Sequence, residues 1–239
     1  MSDLSGKVVA ITGATSGIGA AAGRALAAEG ASVALAGRRR ERLDRFVAEI
    51  GDGAVGVEMD VRDPEGARRL ADTALARFGR LDILVAGAGI GAYGGIMDLS
   101  DEKLKEMMDI NVAGTVWPIR AVVPHFLKAG GGDIVIVASV AGLRGAHDEA
   151  VYAGTKHAQV GLAGSLDREL REKGIRVSAI CPGGVATEFA MGAGRTPDMP
   201  GLAEMLRAED VAAAVVTVLK QPPSMRTLVW SMRSIHEAD

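Results

Sequence analysis

The chain contains a single cysteine, Cys181, among its 239 residues. One thiol excludes an internal disulfide and any metal site built from several cysteines. Such sparing use of cysteine is typical of proteins that work in the reducing cytosol. The four histidines lack the spacing of metal ligands, so we expect no metal ion. They are His125, His147, His157 and His236.

Long apolar runs are also missing. The two longest uncharged stretches, Val8 to Gly23 and Ile83 to Met97, are interrupted by glycines and fall short of the ~20 residues that a membrane helix needs. The first residues, Met1 to Lys7, lack the basic start and apolar run of a secretory leader. We therefore expect a cytoplasmic protein with no membrane partner.

The chain has no excess of positive charge. Its 27 Lys and Arg residues are balanced by 30 Asp and Glu, for a net charge of −3. That balance does not favour binding to nucleic acid or to an anionic membrane, so we expect neither partner. Hydrophobic residues at 48% and charged residues at 24% are ordinary globular values and exclude a disordered chain.

Glycine, by contrast, is abundant, with 32 residues where an average composition of ~7% would give about half as many. The glycines follow no period of three, which excludes a collagen-like fibre. They must therefore serve particular turns.

Short apolar runs alternate with amphipathic stretches of helical length along the whole chain. The predicted strands are Val8–Thr12, Ser32–Ala36, Ala54–Met59, Ile83–Ala86, Ile134–Ala138, Arg176–Ile180 and Thr227–Ser231. The predicted helices are Gly17–Glu29, Arg40–Ile50, Pro64–Phe78, Asp101–Asp109, Val112–Lys128, Val151–Lys173 and Glu209–Lys220.

Strand–helix–strand repetition with short crossovers predicts an α/β fold, a doubly wound parallel sheet of about seven strands with helices on both faces. No low-complexity linker divides residues 1–239, so we expect a single domain. Residues 188–202, rich in Gly, Pro and Met, are typical of a mobile insertion. Asp63 before Pro64 is a strong helix start, and Gly174 is a typical helix end.

Unusual residues collect where the predicted strands end, which is where doubly wound sheets bind ligands. The first strand runs into the segment Thr12–Gly19, which opens an Ala-rich helix. Its glycines allow the backbone to approach a pyrophosphate at the positive end of that helix. A tight strand–helix turn without ligand is the alternative. The candidate contacts are Gly13, Thr15, Ser16, Gly17, Ile18 and Gly19.

The second strand ends at Gly37, followed by Arg38, Arg39 and Arg40. An acid at this position would accept from the 2′-hydroxyl of NAD, and none is present. Arg38 and Arg39 instead suit a 2′-phosphate, with charge-assisted bonds worth roughly 1.5–3 kcal/mol each. We therefore expect NADP(H) as the cofactor. The alternative is a solvated helix start, although arginines there oppose the helix dipole.

Three reactive residues lie further along the chain. Ser139 follows the fifth strand, and Tyr152 and Lys156 are one helical turn apart on one face. A free tyrosine has a pKa near 10, and a neighbouring ammonium favours the phenolate. A Tyr-x-x-x-Lys pair alone is ordinary helix surface, but here it follows a strand-end serine in a dinucleotide-binding pattern.

Taken together, these residues resemble the short-chain dehydrogenase/reductase family in its single-domain form, over essentially the whole chain. The resemblance implies a Rossmann-like fold in which residues 1–239 form one NAD(P)-binding catalytic domain with a substrate loop near 188–202. It also implies catalytic roles for Ser139, Tyr152, Lys156 and Asn111, the last holding a water for proton relay. The further implied cofactor contacts are Asp60, Val61, Gly87, Ala88, Gly89, Pro182, Gly183, Val185 and Thr187.

One departure concerns the fourth strand end. The family usually has Asn-Asn-Ala-Gly where this chain has Ala86-Gly87-Ala88-Gly89, so side-chain hydrogen bonds that brace the central strand are expected to be missing. The arginine pair with Glu41, Arg42 and Leu43 resembles the NADP-dependent 3-hydroxy acid (serine-type) dehydrogenases. The 3-oxoacyl-carrier reductases come next in similarity.

By this resemblance the chain is an NADP(H)-dependent oxidoreductase that moves a hydride between nicotinamide and a small alcohol or carbonyl substrate, for which a 3-hydroxy or 3-oxo acid is one candidate. Tyr152 is then the general acid and base, Ser139 binds the substrate oxygen, and Lys156 orients the ribose and lowers the Tyr152 pKa. Arg144 and Arg195 lie on loops that border the substrate, with solvated surface as the alternative. A non-catalytic NADP(H) sensor or scaffold is the rival from another class.

The helix from Val151 carries a seam of small residues, including Gly154 and Gly161, that permits close approach to the sheet or to a partner helix. The family commonly forms tetramers or dimers through this helix, so the resemblance implies a homotetramer or homodimer. Cys181 is interpreted as a buried strand-end thiol, since no histidine is near it in sequence.

Overall fold

Seven parallel strands build one sheet in the computed structural model, which describes residues 2–237. In chain order they are β1 (Val8–Thr12), β2 (Ser32–Gly37), β3 (Ala54–Glu58), β4 (Ile83–Ala86), β5 (Gly132–Val137), β6 (Ile175–Pro182) and β7 (Val229–Met232). Their order across the sheet is β3-β2-β1-β4-β5-β6-β7. The predicted doubly wound, Rossmann-like α/β fold is confirmed.

Helices cover both faces of the sheet. They are α1 (Gly17–Ala28), α2 (Arg40–Ile50), α3 (Pro64–Phe78), α4 (Asp101–Met108), α5 (Gly114–Ala129), α6 (Ala150–Leu170) and α7 (Ala208–Leu219). Buried residues of α3, α5 and α6 pack on one face of the sheet, and those of α1, α2 and α7 pack on the other. No helix in residues 2–237 combines the length and apolar character that a bilayer crossing requires.

The central strands β1 and β4 are buried on both faces because helices cover both, whereas β7 at the edge of the sheet is partly exposed. Along β1, Val8 and Ala10 belong to one apolar cluster and Val9 and Ile11 to the other, as the two-residue period of a strand requires. The crossovers turn in opposite directions from β1 and β4, so a crevice opens between these neighbouring strands at their carboxyl ends.

Several element boundaries differ from the sequence-based prediction, most of them by one or two residues. Among the strands, β6 runs over Ile175–Pro182 instead of Arg176–Ile180, and β7 runs over Val229–Met232 instead of Thr227–Ser231. The strand predicted at Ile134–Ala138 runs from Gly132 to Val137, because pairing with β6 extends from Gly132 to Val137. The helices predicted at Asp101–Asp109 and Val112–Lys128 are joined by a π-helical segment, Asp109–Ala113. Neither pairing partners nor a widened helical turn can be read from apolar periodicity.

Helix ends follow the predicted caps. Asp63 accepts from the backbone N–H groups of Glu65 and Gly66, at 2.9 Å each, which confirms it as the cap of α3. The helix predicted over Val151–Lys173 leaves α-helical geometry after Leu170 and ends in a 3-10 turn, with Gly174 in the left-handed region at φ +76°.

Removing the Asp63 cap is expected to destabilise the fold. Asp63→Ala leaves two N–H groups at the start of α3 without their acceptors, so the free energy of unfolding should fall by about 1 kcal/mol. Urea unfolding followed by circular dichroism measures this, with Asp63→Asn as the control that keeps an acceptor. Equal stability of Asp63→Ala and the parent would contradict the assignment.

Candidate active site

The glycine-rich segment after β1 folds tightly against the end of β4. A Cβ on Gly13, where φ is +71°, would lie 2.8 Å from the backbone of Ala88, and a Cβ on Gly19 would lie 2.4 Å from the Gly13 carbonyl oxygen. Side chains at either position are therefore excluded. The bare backbone of this segment forms one wall of the crevice at the carboxyl edge.

The N-terminus of α1 lies at this crevice, which Ser16, Gly17 and Ile18 line. Unlike α3, helix α1 has no side-chain cap and no acidic residue in its first turn. Ser16, which occupies the cap position, instead accepts from Arg39 at 2.7 Å. The positive end of α1 is thus left for an anion.

A cleft of about 760 Å³ lies along the carboxyl edge of the sheet. It brings together every predicted cofactor contact and three of the four predicted catalytic residues. The exception is Asn111, which is fully buried behind the wall. The sequence-predicted residues in the lining are Gly13, Thr15, Ser16, Gly17, Ile18, Gly19, Arg38, Arg39, Asp60, Val61, Gly87, Ala88, Gly89, Ser139, Tyr152, Lys156, Pro182, Gly183, Val185 and Thr187.

Tyr152 lies at the centre of the cleft and is buried. Its ring contacts Tyr93 edge-on at 5.5 Å and Phe189 at 5.9 Å between centroids. Burial raises the pKa of Tyr152 well above its ordinary value, and its hydrogen bond with Ser139 opposes that rise only in part. The net shift of the Tyr152 pKa is therefore upward, opposite to the lowering that was expected from Lys156, because desolvation dominates.

Ser139 is held between β5 and β6. Its Oγ accepts from the Ala141 N–H at 3.1 Å and donates to the Pro182 carbonyl at 3.4 Å. The residue caps a 3-10 turn, Val140–Gly142, with its own backbone extended. This fixes the hydroxyl within reach of the Tyr152 phenol.

Lys156 is a buried cation, with 4% of its surface exposed. Its ammonium lies 5.7 Å from the centre of the Tyr152 ring and donates to the Val137 carbonyl at 3.3 Å and to Gln159 Oε1 at 2.8 Å. Burial lowers the pKa of Lys156 to about 8, and the neighbouring Cys181 thiol partly opposes this.

Asn111 lies in the π-helical segment and braces the loop after β4. Its Oδ1 accepts from the Ile90 N–H at 2.9 Å, and its Nδ2 donates to the Ile90 carbonyl and to Thr155 Oγ1. Thr12 Oγ1 accepts from the Ala88 N–H at 3.3 Å. The bracing that the Ala86–Gly89 run lacks in its own side chains is thus supplied from Thr12 and Asn111.

Asn111 is linked to Lys156 through Gln159, and the water expected at Asn111 stays a prediction. The Asn111 carbonyl accepts from Gln159 Nε2 at 2.9 Å, and the other end of the same carboxamide accepts from Lys156. Sequence reasoning did not identify Gln159. The feature that could have identified it is a polar residue three positions after Lys156, which lies on the same face of the same helix.

The arginines after β2 take different positions. Arg39 donates to Thr15 Oγ1 at 3.0 Å and to Glu188 Oε2 at 3.0 Å, and Arg42 donates to Glu188 at 2.8 Å. Arg38 lines the cleft and, within residues 2–237, has no side-chain hydrogen bond or ion pair. Glu188, which sequence reasoning missed, therefore ties the 188–202 segment to the arginine end of the cleft.

Asp60 lines the cleft and also closes the turn that follows β3. It accepts from the Arg62 backbone N–H at 2.9 Å and from the Arg62 guanidinium, which lowers the Asp60 pKa.

A second carboxylate in the cleft belongs to Glu237, at the end of the described chain. Glu237 Oε2 accepts from the Gly184 N–H at 2.9 Å, beside the Pro182–Gly183 turn, and sequence reasoning did not place it there.

Comparison with known proteins decides the family. Residues 7–198 match the model of the short chain dehydrogenase family. The chain belongs to the short-chain dehydrogenase family. The predicted resemblance is thereby confirmed, and this short-chain dehydrogenase is an oxidoreductase of the dehydrogenase/reductase type.

Relatives of this short-chain dehydrogenase match along nearly its full length. An uncharacterized oxidoreductase of Staphylococcus epidermidis is 35% identical over 98% of this chain and all of its own. A closed serine dehydrogenase complexed with NADP+ is 30% identical, with a TM-score of 0.90 and coverage of 97% and 96%. A 3-ketoacyl-(acyl-carrier-protein) reductase of Brucella melitensis complexed with NADH is 29% identical, with a TM-score of 0.89 and coverage of 97% and 98%.

The buried ammonium of this short-chain dehydrogenase should make its stability depend on pH. The pKa of Lys156 is about 8 in the folded chain and near 10.4 when unfolded, so the unfolded chain binds more protons between these values. The free energy of unfolding should therefore rise with pH across that window, by roughly 3 kcal/mol in total.

Lys156→Met should remove this rise. Denaturant unfolding at several pH values between 7 and 10.5 gives the free energy of unfolding of the variant and of the parent, and the two are compared at each pH. Lys128→Met, at an exposed lysine on α5, is the matched control. A slope unchanged by Lys156→Met would contradict the assigned shift.

Proposed function

We propose that this protein is an NADP(H)-dependent oxidoreductase that moves a hydride between nicotinamide and a small alcohol or carbonyl compound. The observation that carries this proposal is the convergence of the Tyr152 phenol, the Ser139 hydroxyl and the Lys156 ammonium in one cleft with the glycine segment of α1. Each group is positioned by the sheet or by a helix packed on it. The alternative, a sensor or scaffold that binds the cofactor without chemistry, has no need of this convergence.

The residues present fit a dinucleotide. Side chains at Gly13 and Gly19 would collide with backbone, and the uncapped start of α1 suits a pyrophosphate. Arg38 lines the cleft, and its guanidinium has no hydrogen bond or ion pair among residues 2–237, so it is available to a 2′-phosphate, with Arg39 beside it. When bound, the cofactor supplies or accepts the hydride at its nicotinamide ring. Pro182, Gly183, Val185 and Thr187 would hold the nicotinamide end.

Tyr152 is the general acid and base in this proposal. Because burial raises its pKa, the phenol is protonated at neutral pH and suits proton donation to a carbonyl oxygen during reduction. In the reverse reaction the phenolate takes the proton from the alcohol. Ser139 hydrogen-bonds the same oxygen and stabilises the charge that develops on it. Lys156 orients the ribose, and its positive charge stabilises the phenolate left by proton donation.

The substrate part of the cleft favours a molecule with an acid group, such as a 3-hydroxy or 3-oxo acid. Its walls include the rings of Tyr93 and Phe189. Arg195 stacks over Phe189 at 5.9 Å and donates to the Val185 carbonyl at 3.0 Å. Burial raises the pKa of Tyr152, and the positive charge of Arg195 opposes part of that rise. The Arg195 guanidinium, close to the Tyr152 phenol, would attract the carboxylate of a substrate.

The proposal extends to the whole molecule. Residues 1–239 act as one cytoplasmic catalytic domain, with 188–202 as its substrate loop. The chain assembles as a homodimer or homotetramer, and the exposed seam on α6 supports this. A Cβ on Gly154 or Gly161 would meet no other atom within 4 Å, so a second helix has room to approach there.

Tyr152→Phe tests the chemistry. Without the phenolic proton, NADPH oxidation with carbonyl substrates should fall by about a thousandfold, while the Kd for NADPH changes little because the ring and its packing remain. Turnover is measured by NADPH absorbance against a panel of ketones, aldehydes and 3-oxo acids. Retained turnover in the variant would reject Tyr152 as the acid, and NADPH binding without turnover in the parent would favour the sensor.

Arg38→Asp tests the cofactor. A carboxylate in place of the unpaired guanidinium should weaken NADPH binding at least about tenfold and leave NADH binding equal or tighter. Fluorescence titration with both cofactors measures the two Kd values. Arg40→Asp is the control, since Arg40 is exposed, pairs with Asp44 and does not line the cleft. Equal affinities of the parent for NADPH and NADH would overturn the preference.

A further inference from the structure

Gln159 is a buried polar residue whose bonds all run to the active site. It lies on α6, three residues after Lys156, with none of its surface exposed. Its Oε1 accepts from Lys156 Nζ at 2.8 Å, and its Nε2 donates to the Asn111 carbonyl at 2.9 Å and to Thr115 Oγ1 at 2.8 Å. A buried carboxamide is costly unless it is hydrogen-bonded, and here both of its ends are satisfied.

The network dictates which way this carboxamide points. Thr115 Oγ1 donates its own proton to the Asn111 carbonyl at 2.7 Å, so it can only accept from Gln159. Both amide protons of Gln159 therefore have acceptors at the α5 side. The reversed orientation would place amide protons against an ammonium and one carbonyl oxygen against another. The oxygen of Gln159 must face Lys156.

Gln159 is also the only side chain that hydrogen-bonds Lys156 within residues 2–237. The remaining acceptor is the Val137 carbonyl at 3.3 Å. The titratable groups that face the ammonium are the Cys181 thiol on β6 and the Tyr152 phenol on α6, and no carboxylate of the described chain pairs with it. Gln159 thus supplies the shorter of the two hydrogen bonds that replace water around this buried charge.

We propose that Gln159 is a positioning residue that acts through Lys156, holding its ammonium charged and in place beside Tyr152. The carboxamide bridges Lys156 and the Asn111 carbonyl directly. This inference rests on the proposed function only for the role of Lys156 in catalysis. The effect of Gln159 on the charge of Lys156 follows from the geometry alone.

The first test needs neither cofactor nor turnover. Gln159→Met has nearly the same length without the amide oxygen, so the pH at which unfolding free energy begins to rise should move down by about one unit. Gln159→Glu places a carboxylate against the ammonium and should move that pH upward. Denaturant unfolding of each variant between pH 6 and 11 measures both shifts.

A double-variant cycle isolates the path of the effect. In a Lys156→Met background, Gln159→Met should cause no pH-dependent change, because the group through which it acts is gone. An unmoved rise in both Gln159 variants would overturn the proposal. So would a pH-dependent effect of Gln159→Met that persists without Lys156, since Gln159 would then act only as packing.

The kinetic test uses the same variants in NADPH-dependent carbonyl reduction. The rate should fall as Lys156 loses its proton, and in Gln159→Met this alkaline limb should lie about one pH unit lower, with KM for the carbonyl substrate little changed. Ala163→Gly, a buried position one turn further along α6, controls for loss of stability and should leave the limb in place. If the alkaline limbs of the pH–rate profiles coincide in Gln159→Met and the parent, Gln159 does not act on catalysis through Lys156.

The two proposals fail in different ways. A parent protein that turns over no carbonyl substrate refutes the proposed function. The unfolding measurements on the Gln159 and Lys156 variants would still test the interaction between these two residues. A parent that turns over substrate, with an unchanged stability profile in both Gln159 variants, refutes the positioning role alone.

Discussion

A buried ammonium needs fixed acceptors, and much of the site in this protein is arranged around that need. Lys156 loses its hydration where α6 packs against the sheet, and the backbone of β5 and the side chain of Gln159 replace the water. Gln159 is in turn anchored on Asn111 and Thr115, which belong to the π-helical segment and to α5. The charge beside Tyr152 is thereby coupled to the packing of two helices.

The same network supports the opposite wall of the cleft. Asn111 accepts from the Ile90 N–H through its side chain and from Gln159 through its backbone carbonyl. One residue therefore connects the loop after β4 to Gln159, and through it to Lys156. The π-helical turn widens the helix at this position, a feature common at functional sites. A change at Asn111 would therefore weaken both the packing of the loop after β4 and the positioning of Gln159 beside Lys156.

The 188–202 segment is tied to the arginine end of the cleft through charge. Glu188 accepts from Arg39 and Arg42, while Arg39 also holds the hydroxyls of Thr15 and Ser16 in the glycine segment. These pairs are exposed, so each is worth little on its own. Their arrangement nevertheless places an anion of the loop beside the guanidinium groups that would read a 2′-phosphate. The position of the 188–202 segment and the arginine end of the cleft therefore depend on the same side chains, Arg39 and Arg42.

The sequence by itself determined the order of strands and helices, the cap at Asp63, and the glycine, serine, tyrosine and lysine positions of the site. These follow from local rules: apolar period, capping chemistry and the sharp turns that glycine permits. Only the tertiary structure decided that Gln159 faces Lys156, that Glu188 and Glu237 enter the cleft, and that burial raises the Tyr152 pKa. Those outcomes depend on distances between residues far apart in the chain and on how much water remains around them, and no local pattern encodes either quantity.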